Sequence, residues 1–97
     1  MRHQIVLAPE AADDYARLSD RDRASVRSAL ETCLRQKPAK MTGNRVRKLR
    51  GLRKPRYRLR VPGLRVFYDV ALGEADVLAI VEASNSAVWL DRSREKA

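Results

Sequence analysis

Four arginines near the middle of the chain alternate with apolar residues, a spacing that suits phosphate binding. Arg56, Arg58 and Arg60 precede a Pro-Gly dipeptide, and Arg65 follows it. Proline and glycine suit the two central positions of a type II turn, and the flanking alternation predicts a β-hairpin over residues 56–69. Arginine binds phosphate through two parallel hydrogen bonds. The hairpin is therefore predicted to present a phosphate-binding surface.

The turn sets a register that separates two faces of the hairpin. With the Pro-Gly pair as the loop, one face is apolar and is expected to pack on helices: Tyr57, Leu59, Val61, Leu64, Val66 and Tyr68. The other carries Arg56, Arg58, Arg60, Arg65, Phe67 and Asp69. Arg60 opposite Arg65 destabilises the sheet unless an anion lies between them, and Phe67 is predicted to offer a base a stacking surface. The alternative is an ordinary solvated sheet face.

The positive charge of the chain is concentrated in the segment that contains this hairpin. The net charge is +9, yet residues 32–68 hold thirteen Lys or Arg and no Asp or Glu. Such a local cationic field is typical of a protein with a polyanionic partner. A surface selected for solubility alone would mix both signs.

Other reactive side chains have structural explanations. Tyr57 and Tyr68 lie on the apolar hairpin face and are expected to be core residues with satisfied hydroxyls. His3 is expected to be incidental, which disfavours a histidine-driven ribonuclease. Cys33, the single cysteine, is expected in the core. One cysteine and one histidine form neither a disulfide nor a metal cluster, so no metal or other cofactor is expected.

Length and composition suit one folded domain over residues 1–97, with 44% hydrophobic and 34% charged residues. No apolar run reaches 18 residues and no signal-peptide core is evident, so a cytoplasmic location without membrane association is expected.

The hydrophobic pattern predicts the order of elements. A strand at 4–7 leads into a helix begun by Pro9, with Ala8, Ala12, Tyr15 and Leu18 on its apolar side. A second helix, with Ser19 as N-cap, has an apolar stripe at Val26, Ala29, Leu30, Cys33 and Leu34. A possible strand at 45–49, the hairpin and a buried strand at 77–81 follow. A short helix after Ser84 or Ser86 is expected to pack Trp89 on the sheet.

This order, together with three motifs, resembles the RelE/ParE superfamily of bacterial toxins. The motifs are KLRG at 48–51, YRLRV at 57–61 and LRVFYDV at 64–70. The resemblance implies an α+β, RelE-like fold: an N-terminal strand and a two-helix hairpin packed on a mainly antiparallel, twisted sheet of about four strands, with a short C-terminal helix.

The resemblance also implies a function. Members are paired with a cognate antitoxin; RelE-like members cleave mRNA on the ribosome, and ParE-like members inhibit DNA gyrase. The ribonuclease roles, which require no metal, carry over to Arg58, Arg60 and Arg65. The expected RNA-binding residues are Lys48, Arg50, Arg53, Lys54, Arg56 and Phe67.

The C-terminal segment departs from the ribonuclease pattern. That branch often carries a late arginine and a C-terminal tyrosine, whereas this chain reads EASNSAVWLDR. Arginine is also a poor proton donor or acceptor, which favours electrostatic stabilisation. The leading hypothesis is an antitoxin-controlled, ribosome-dependent endoribonuclease. The alternatives are a non-enzymatic gyrase inhibitor and a catalytically weak nucleic-acid-binding member.

Overall fold

The first element of the chain is a strand, and the last is a helix that returns to the sheet. The computed structural model describes residues 2–41, 43 and 45–96. In chain order the elements are β1 (Gln4–Leu7), α1 (Pro9–Arg17), α2 (Asp20–Leu34), β2 (Val46–Lys48), β3 (Tyr57–Val61), β4 (Leu64–Ala71), β5 (Glu74–Glu82), a 3-10 turn (Ala83–Asn85) and α3 (Ser86–Lys96).

The strands form one sheet in the order β1-β5-β4-β3-β2. The pairs β2/β3, β3/β4 and β4/β5 are antiparallel, while β1 runs parallel to β5. This confirms the predicted α+β fold with a mainly antiparallel sheet. The sheet has five strands instead of about four, because β1 joins it as an edge strand.

Local signals explain where the first two helices begin. Pro9 occupies the first turn of α1, where its missing N–H costs no hydrogen bond. The Ser19 hydroxyl accepts a hydrogen bond from the Asp22 N–H at 3.1 Å, which confirms the predicted N-cap of α2. The predicted apolar side of α1 is confirmed at Tyr15 and Leu18, which pack against the core, and is wrong at one position: Ala11 is fully buried, whereas Ala12 is exposed.

The core lies between α2 and one face of the sheet. The predicted stripe of α2 is buried at Val26, Ala29, Leu30 and Leu34, and Cys33 is half-buried against the same cluster. The sheet contributes Leu59, Val61, Leu64, Val66 and Tyr68 from the hairpin, as its alternation predicted. The Tyr68 hydroxyl donates to the Pro38 carbonyl at 2.6 Å, and its ring stacks on Tyr57. Both tyrosines are therefore structural.

The β3–β4 hairpin has the predicted register. Val61 pairs with Leu64, Arg60 with Arg65 and Arg58 with Phe67. Gly63 in the turn has a φ of 75°, the left-handed conformation that a type II turn requires at its third position. Because side chains alternate along a strand, this register holds the hairpin arginines on the face opposite the core.

β1 pairs only with the first half of β5, and a side chain of α1 accepts a hydrogen bond from the unpaired edge of the second half. The register shifts between Phe67 and Tyr68, so β5 bulges there, and past the bulge the Ile80 N–H donates to the Asp14 carboxylate of α1 at 3.0 Å. A carboxylate on a free edge discourages pairing with another strand. Among the described residues, no helix combines the length and the apolar character needed to cross a bilayer.

Candidate nucleic-acid interface

Four arginines from three adjacent strands meet on the sheet face opposite α2. Arg47 pairs across β2/β3 with Arg58, and Arg60 pairs across the hairpin with Arg65. All four side chains belong to one face, because Arg58 and Arg60 are two residues apart on one strand and each partner lies directly opposite. We call Arg47, Arg58, Arg60 and Arg65 the arginine face.

Arg58 lies at the centre of this face and is the most constrained of the four. Its Nε atom is buried and has no hydrogen-bond partner among the described residues. Burial, followed by the charges of Arg65, Arg47 and Arg60, lowers the pKa of its guanidinium from the usual arginine value. The guanidinium remains charged at neutral pH, so an anion placed here would relieve an unfavourable environment.

The other hairpin arginines also lack acidic partners. The Arg65 Nη1 donates to the carbonyls of Leu64 at 2.7 Å and Val61 at 3.3 Å, which anchors its guanidinium at the turn. Arg60 is exposed. In residues 2–41, 43 and 45–96, every recorded ion pair joins residues three or four apart on a helix, and none involves Arg58, Arg60 or Arg65. The positive charge is therefore available to a ligand.

Arg56 and Asp69 hold the start of β3 in place. The Arg56 backbone N–H donates to the buried Asp69 carboxylate at 2.6 Å, while the Arg56 side chain is exposed. The one carboxylate that the sequence places on this hairpin face is thus engaged with the backbone at one end of the hairpin. It does not neutralise the arginines.

Phe67 does not offer a base the stacking surface that its sequence position suggested. The residue is fully buried, and the Trp89 ring of α3 lies parallel to it at a centroid distance of 4.7 Å and an interplanar angle of 3°. The prediction that Trp89 packs on the sheet is confirmed. The prediction that Phe67 offers a stacking surface to a base is wrong, because Trp89 covers the Phe67 ring. Both predictions concern the same site, and α3 occupies it.

The remaining predicted RNA-binding residues separate into groups. Lys48 pairs with Tyr57 and therefore belongs to the face opposite the arginines. Arg50 is exposed in the segment between β2 and β3. Arg53 and Lys54, in the same segment, line a separate depression with Arg92 of α3. Of the predicted set, Arg58, Arg60 and Arg65 belong to the arginine face.

Arg47 is the member that sequence reasoning missed. The signal was present, because Val46 is an apolar residue between two arginines in a predicted strand. With Val46 buried in the core, alternation places Arg47 outward beside Arg58. The short strand and the uncertain end of the preceding loop concealed this pattern.

The arginine face can bind and polarise phosphate, but it supplies no proton-transfer group. The residues of β4 and β5 that pair directly with it are Phe67 and Val81, and neither these nor Ala79, which pairs with Phe67, titrates. The Asp69 carboxylate, two residues from Phe67, is engaged by the Arg56 N–H. Among the described residues no group of three or more His, Cys, Asp or Glu side chains is arranged to hold a metal ion. Its chemistry is that of a fixed cationic surface.

Comparison with known proteins gives the family. The model of the ParE toxin of the type II toxin–antitoxin system parDE matches residues 5–85. The chain belongs to the ParE toxin family. This confirms the predicted membership of the RelE/ParE superfamily, and apart from Gln4 at the start of β1 the match includes all five strands of this toxin and its first two helices. No curated protein sequence matches the chain.

Solved structures support the fold of this ParE-family toxin. It is similar to the isolated RelE toxin of E. coli, with 18% sequence identity, a TM-score of 0.67 and full coverage of both chains. It is also similar to a chain of the RelB–RelE antitoxin–toxin complex from Methanococcus jannaschii. That match has 15% identity and a TM-score of 0.66, and it covers 87% of this toxin and 96% of that chain.

Proposed function

We propose that this toxin binds mRNA on the ribosome through its arginine face and promotes cleavage of the RNA backbone. The observation that carries the proposal is the arginine face itself: four guanidinium groups on three adjacent strands, with Arg58 partly desolvated among like charges. Bidentate guanidinium groups match phosphate geometry, and close phosphate spacing makes RNA a suitable partner for a row of them.

The mechanism that these residues support is electrostatic. The 2′-hydroxyl of the RNA attacks the adjacent phosphorus, and negative charge accumulates on the phosphoryl oxygens in the transition state. The bond from phosphorus to the 5′-oxygen then breaks, which leaves a 2′,3′-cyclic phosphate on one fragment and a 5′-oxygen that takes a proton from solvent or from a group of the ribosome on the other. Arg58, Arg60 and Arg65 stabilise this charge without having to reorganise, because the sheet already holds them in position. Arginine does not exchange its proton at neutral pH, so the proton of the 2′-hydroxyl passes to solvent or to a group of the ribosome.

A cognate antitoxin is the expected protein partner. The family is defined as the toxin of a type II toxin–antitoxin system, and one of the similar solved structures is a RelB–RelE antitoxin–toxin complex. An antitoxin that covers the arginine face with acidic side chains would neutralise the charge and block access of RNA.

Inhibition of DNA gyrase is the second candidate function. The observation that favours it is the lack of a titratable side chain at the β4 and β5 positions that pair directly with the arginine face. A toxin that only binds its target needs no proton-transfer group. In that case the arginine face would contact an acidic protein surface or the DNA held by gyrase.

One experiment distinguishes the two functions. The toxin is expressed without antitoxin, new 5′ ends of ribosome-bound mRNA are mapped, and gyrase supercoiling is assayed in parallel. We expect new mRNA ends and normal supercoiling. Arg60→Ala and Arg65→Ala should each lower cleavage by about 100-fold, the loss typical of removing one charge-stabilising group.

Arg21→Ala is the matched control. Arg21 is exposed on α2, which packs on the other sheet face, so its removal changes the net charge equally without touching the arginine face. Full cleavage by both hairpin variants would refute the site. Unchanged mRNA ends combined with loss of supercoiling would replace the ribonuclease by the gyrase inhibitor.

A further inference from the structure

A second cationic feature lies beside Trp89. It is a depression of about 520 Å³ lined by residues of α3, of the segment before β3, of β5 and of the start of α1. Its lining includes Arg53, Lys54, Arg92, Glu10, Leu78 and Trp89. This volume falls in the range of small-molecule sites, which is about 300 to 1,000 Å³.

The charge of the depression favours an anion. Arg53, Lys54 and Arg92 bring three positive charges from two segments far apart in sequence, and none of them makes a hydrogen bond or ion pair with another described residue. The single carboxylate, Glu10, accepts a hydrogen bond from the Trp89 indole N–H at 3.2 Å. Two positive charges remain in excess, so a phosphate is an electrostatically suitable ligand.

The apolar part of the depression favours a ligand with a flat ring. Leu78 lies at the bulge of β5, where the strand adds a residue that has no partner in β4. The Trp89 ring is held by its stack on Phe67 and by its hydrogen bond to Glu10. Cations beside a rigid aromatic and an aliphatic wall are the combination that binds a nucleotide, with its phosphate on the cations and its base on the apolar wall.

The depression is also next to the arginine face. Trp89 covers Phe67, and Phe67 pairs with Arg58 of that face. An RNA strand whose phosphates lie on the arginine face therefore has to pass only the Phe67–Trp89 pair to reach the depression.

We propose that the depression between Arg53, Lys54 and Arg92 is a nucleotide subsite, which holds one nucleotide of the RNA strand that crosses the arginine face. The inference rests on the proposed function and extends it. The phosphate lies among the three cations, and the base lies against Leu78 and Trp89. It gives Arg53 and Lys54 a binding role that depends on α3, which carries Arg92.

Trp89 makes the proposal directly measurable, because it is the only tryptophan in the chain. Intrinsic fluorescence is followed while the purified toxin is titrated with adenosine 5′-monophosphate, adenosine or inorganic phosphate. We expect a saturable change with the nucleotide, and at least about tenfold weaker responses to the other two, since each lacks half of the recognised chemistry. The double variant Arg53→Ala/Lys54→Ala and the single variant Arg92→Ala should each weaken nucleotide binding by about tenfold.

Arg94→Ala is the matched control. Arg94 is on α3 as well, but its guanidinium pairs with Asp91 and does not line the depression. This variant should bind the nucleotide like the unmodified toxin. Circular dichroism of all variants reports whether α3 and the sheet remain folded, so that weaker binding is not mistaken for unfolding.

A parallel titration with a fluorescein-labelled single-stranded RNA, followed by anisotropy, separates this subsite from the proposed function. RNA binding that leaves Trp89 fluorescence unchanged and is insensitive to Arg53, Lys54 and Arg92 would overturn the subsite alone. Equal responses to phosphate and nucleotide, or a stronger response to a poly-glutamate peptide, would also overturn it. If Trp89 fluorescence responds to the nucleotide only when Arg53, Lys54 and Arg92 are present, but the toxin leaves mRNA intact, the subsite is supported and the proposed cleavage is refuted.

Discussion

Arg58 illustrates how a residue that we propose binds phosphate costs stability before its ligand arrives. Its Nε is buried without a hydrogen-bond partner among the described residues, and three arginines of the same face surround it. A buried donor without a partner costs about 1 kcal/mol or more, and repulsion between like charges adds to this cost. Nothing in the core requires a charge at this position. We interpret Arg58 as a residue kept for binding at the expense of the free fold.

Replacement of Arg58 by methionine should therefore stabilise the toxin while weakening RNA binding. The free energy of unfolding is expected to rise by about 1 kcal/mol, since an apolar chain of similar length replaces the unpaired donor. Urea denaturation measures this change, and anisotropy measures the loss of RNA affinity. Arg21→Met on α2 is the control, with little effect on either quantity. A destabilised Arg58→Met protein would contradict our account.

Tyr68 contributes to stability in a pH-dependent way. Burial, with smaller effects from Cys33 and Tyr57, raises the pKa of its hydroxyl well above the ordinary value of about 10. Its stabilising contribution is fully present below pH 10. Above that pH the unfolded chain releases the proton and the folded chain retains it, so the free energy of unfolding falls as pH rises.

Tyr68→Phe should be less stable than the unmodified toxin at pH 8 by about 1 kcal/mol, because it lacks the hydrogen bond to the Pro38 carbonyl. The difference should shrink between pH 10 and 11, because only the tyrosine form loses stability by ionising in the unfolded state. Urea denaturation at several pH values measures both effects. Tyr57→Phe, at a half-buried position, is the comparison variant. A constant difference across this range would show that the Tyr68 hydroxyl is not protected.

At the scale of elements, α3 is the part of the fold that determines which sheet residues a ligand can reach. It is attached to the rest of the protein through Trp89, which stacks on Phe67 and donates to Glu10. The helix therefore depends on one aromatic side chain for its position. It covers Phe67 and at the same time brings Arg92 beside Arg53 and Lys54.

Trp89→Ala should release α3 while the sheet remains folded. Removing the half-buried ring forfeits the aromatic stack and its buried area, about 2 kcal/mol of attachment. Amide hydrogen exchange should become faster in Ser86–Lys96, and β3 and β4 should stay protected. Val88→Ala is the control, because Val88 is 53% exposed on the same helix. Unchanged exchange in Trp89→Ala would mean that other contacts hold α3.

Sequence patterns predicted the elements better than their mutual packing. The Ser19 cap and the Pro-Gly turn are local signals, and the structure has both where expected. The sequence predicted that Trp89 of α3 packs on the sheet, but it did not predict Phe67 as the residue that Trp89 covers, because the two are distant in sequence and Phe67 had a plausible separate role. Only their contact decides that they occupy one site.

At the scale of the whole molecule, the paired charges lie on the helices and the arginine side chains of the hairpin have no acidic partner among the described residues. The chain carries a net charge of +9, and the recorded ion pairs among the described residues lie on the helices. Arg58, Arg60 and Arg65 take part in none of these ion pairs, so their charge is available to a partner. Binding to a polyanion releases counterions, so affinity for single-stranded RNA should fall steeply with salt.

The salt dependence provides a count of phosphate contacts. The logarithm of the association constant for a short single-stranded RNA should fall linearly with the logarithm of the KCl concentration. Arg60→Ala should reduce the magnitude of this slope by about 0.7, the value for one phosphate contact on a single strand. Anisotropy titrations at several KCl concentrations measure the slope, with Arg21→Ala as the charge-matched control. Equal slopes for both variants would argue against a phosphate contact at Arg60.

The sequence by itself determined the hairpin, its register and the outward direction of Arg58, Arg60 and Arg65. Those features follow from turn chemistry and from the two-residue period of a strand, which act over a few residues. The tertiary structure decided that Arg47 joins them and that Lys48 lies on the other face. It also decided that Trp89 covers Phe67 and that Arg53, Lys54 and Arg92 share a depression. These outcomes depend on strand pairing and helix packing between distant segments, which no local pattern encodes.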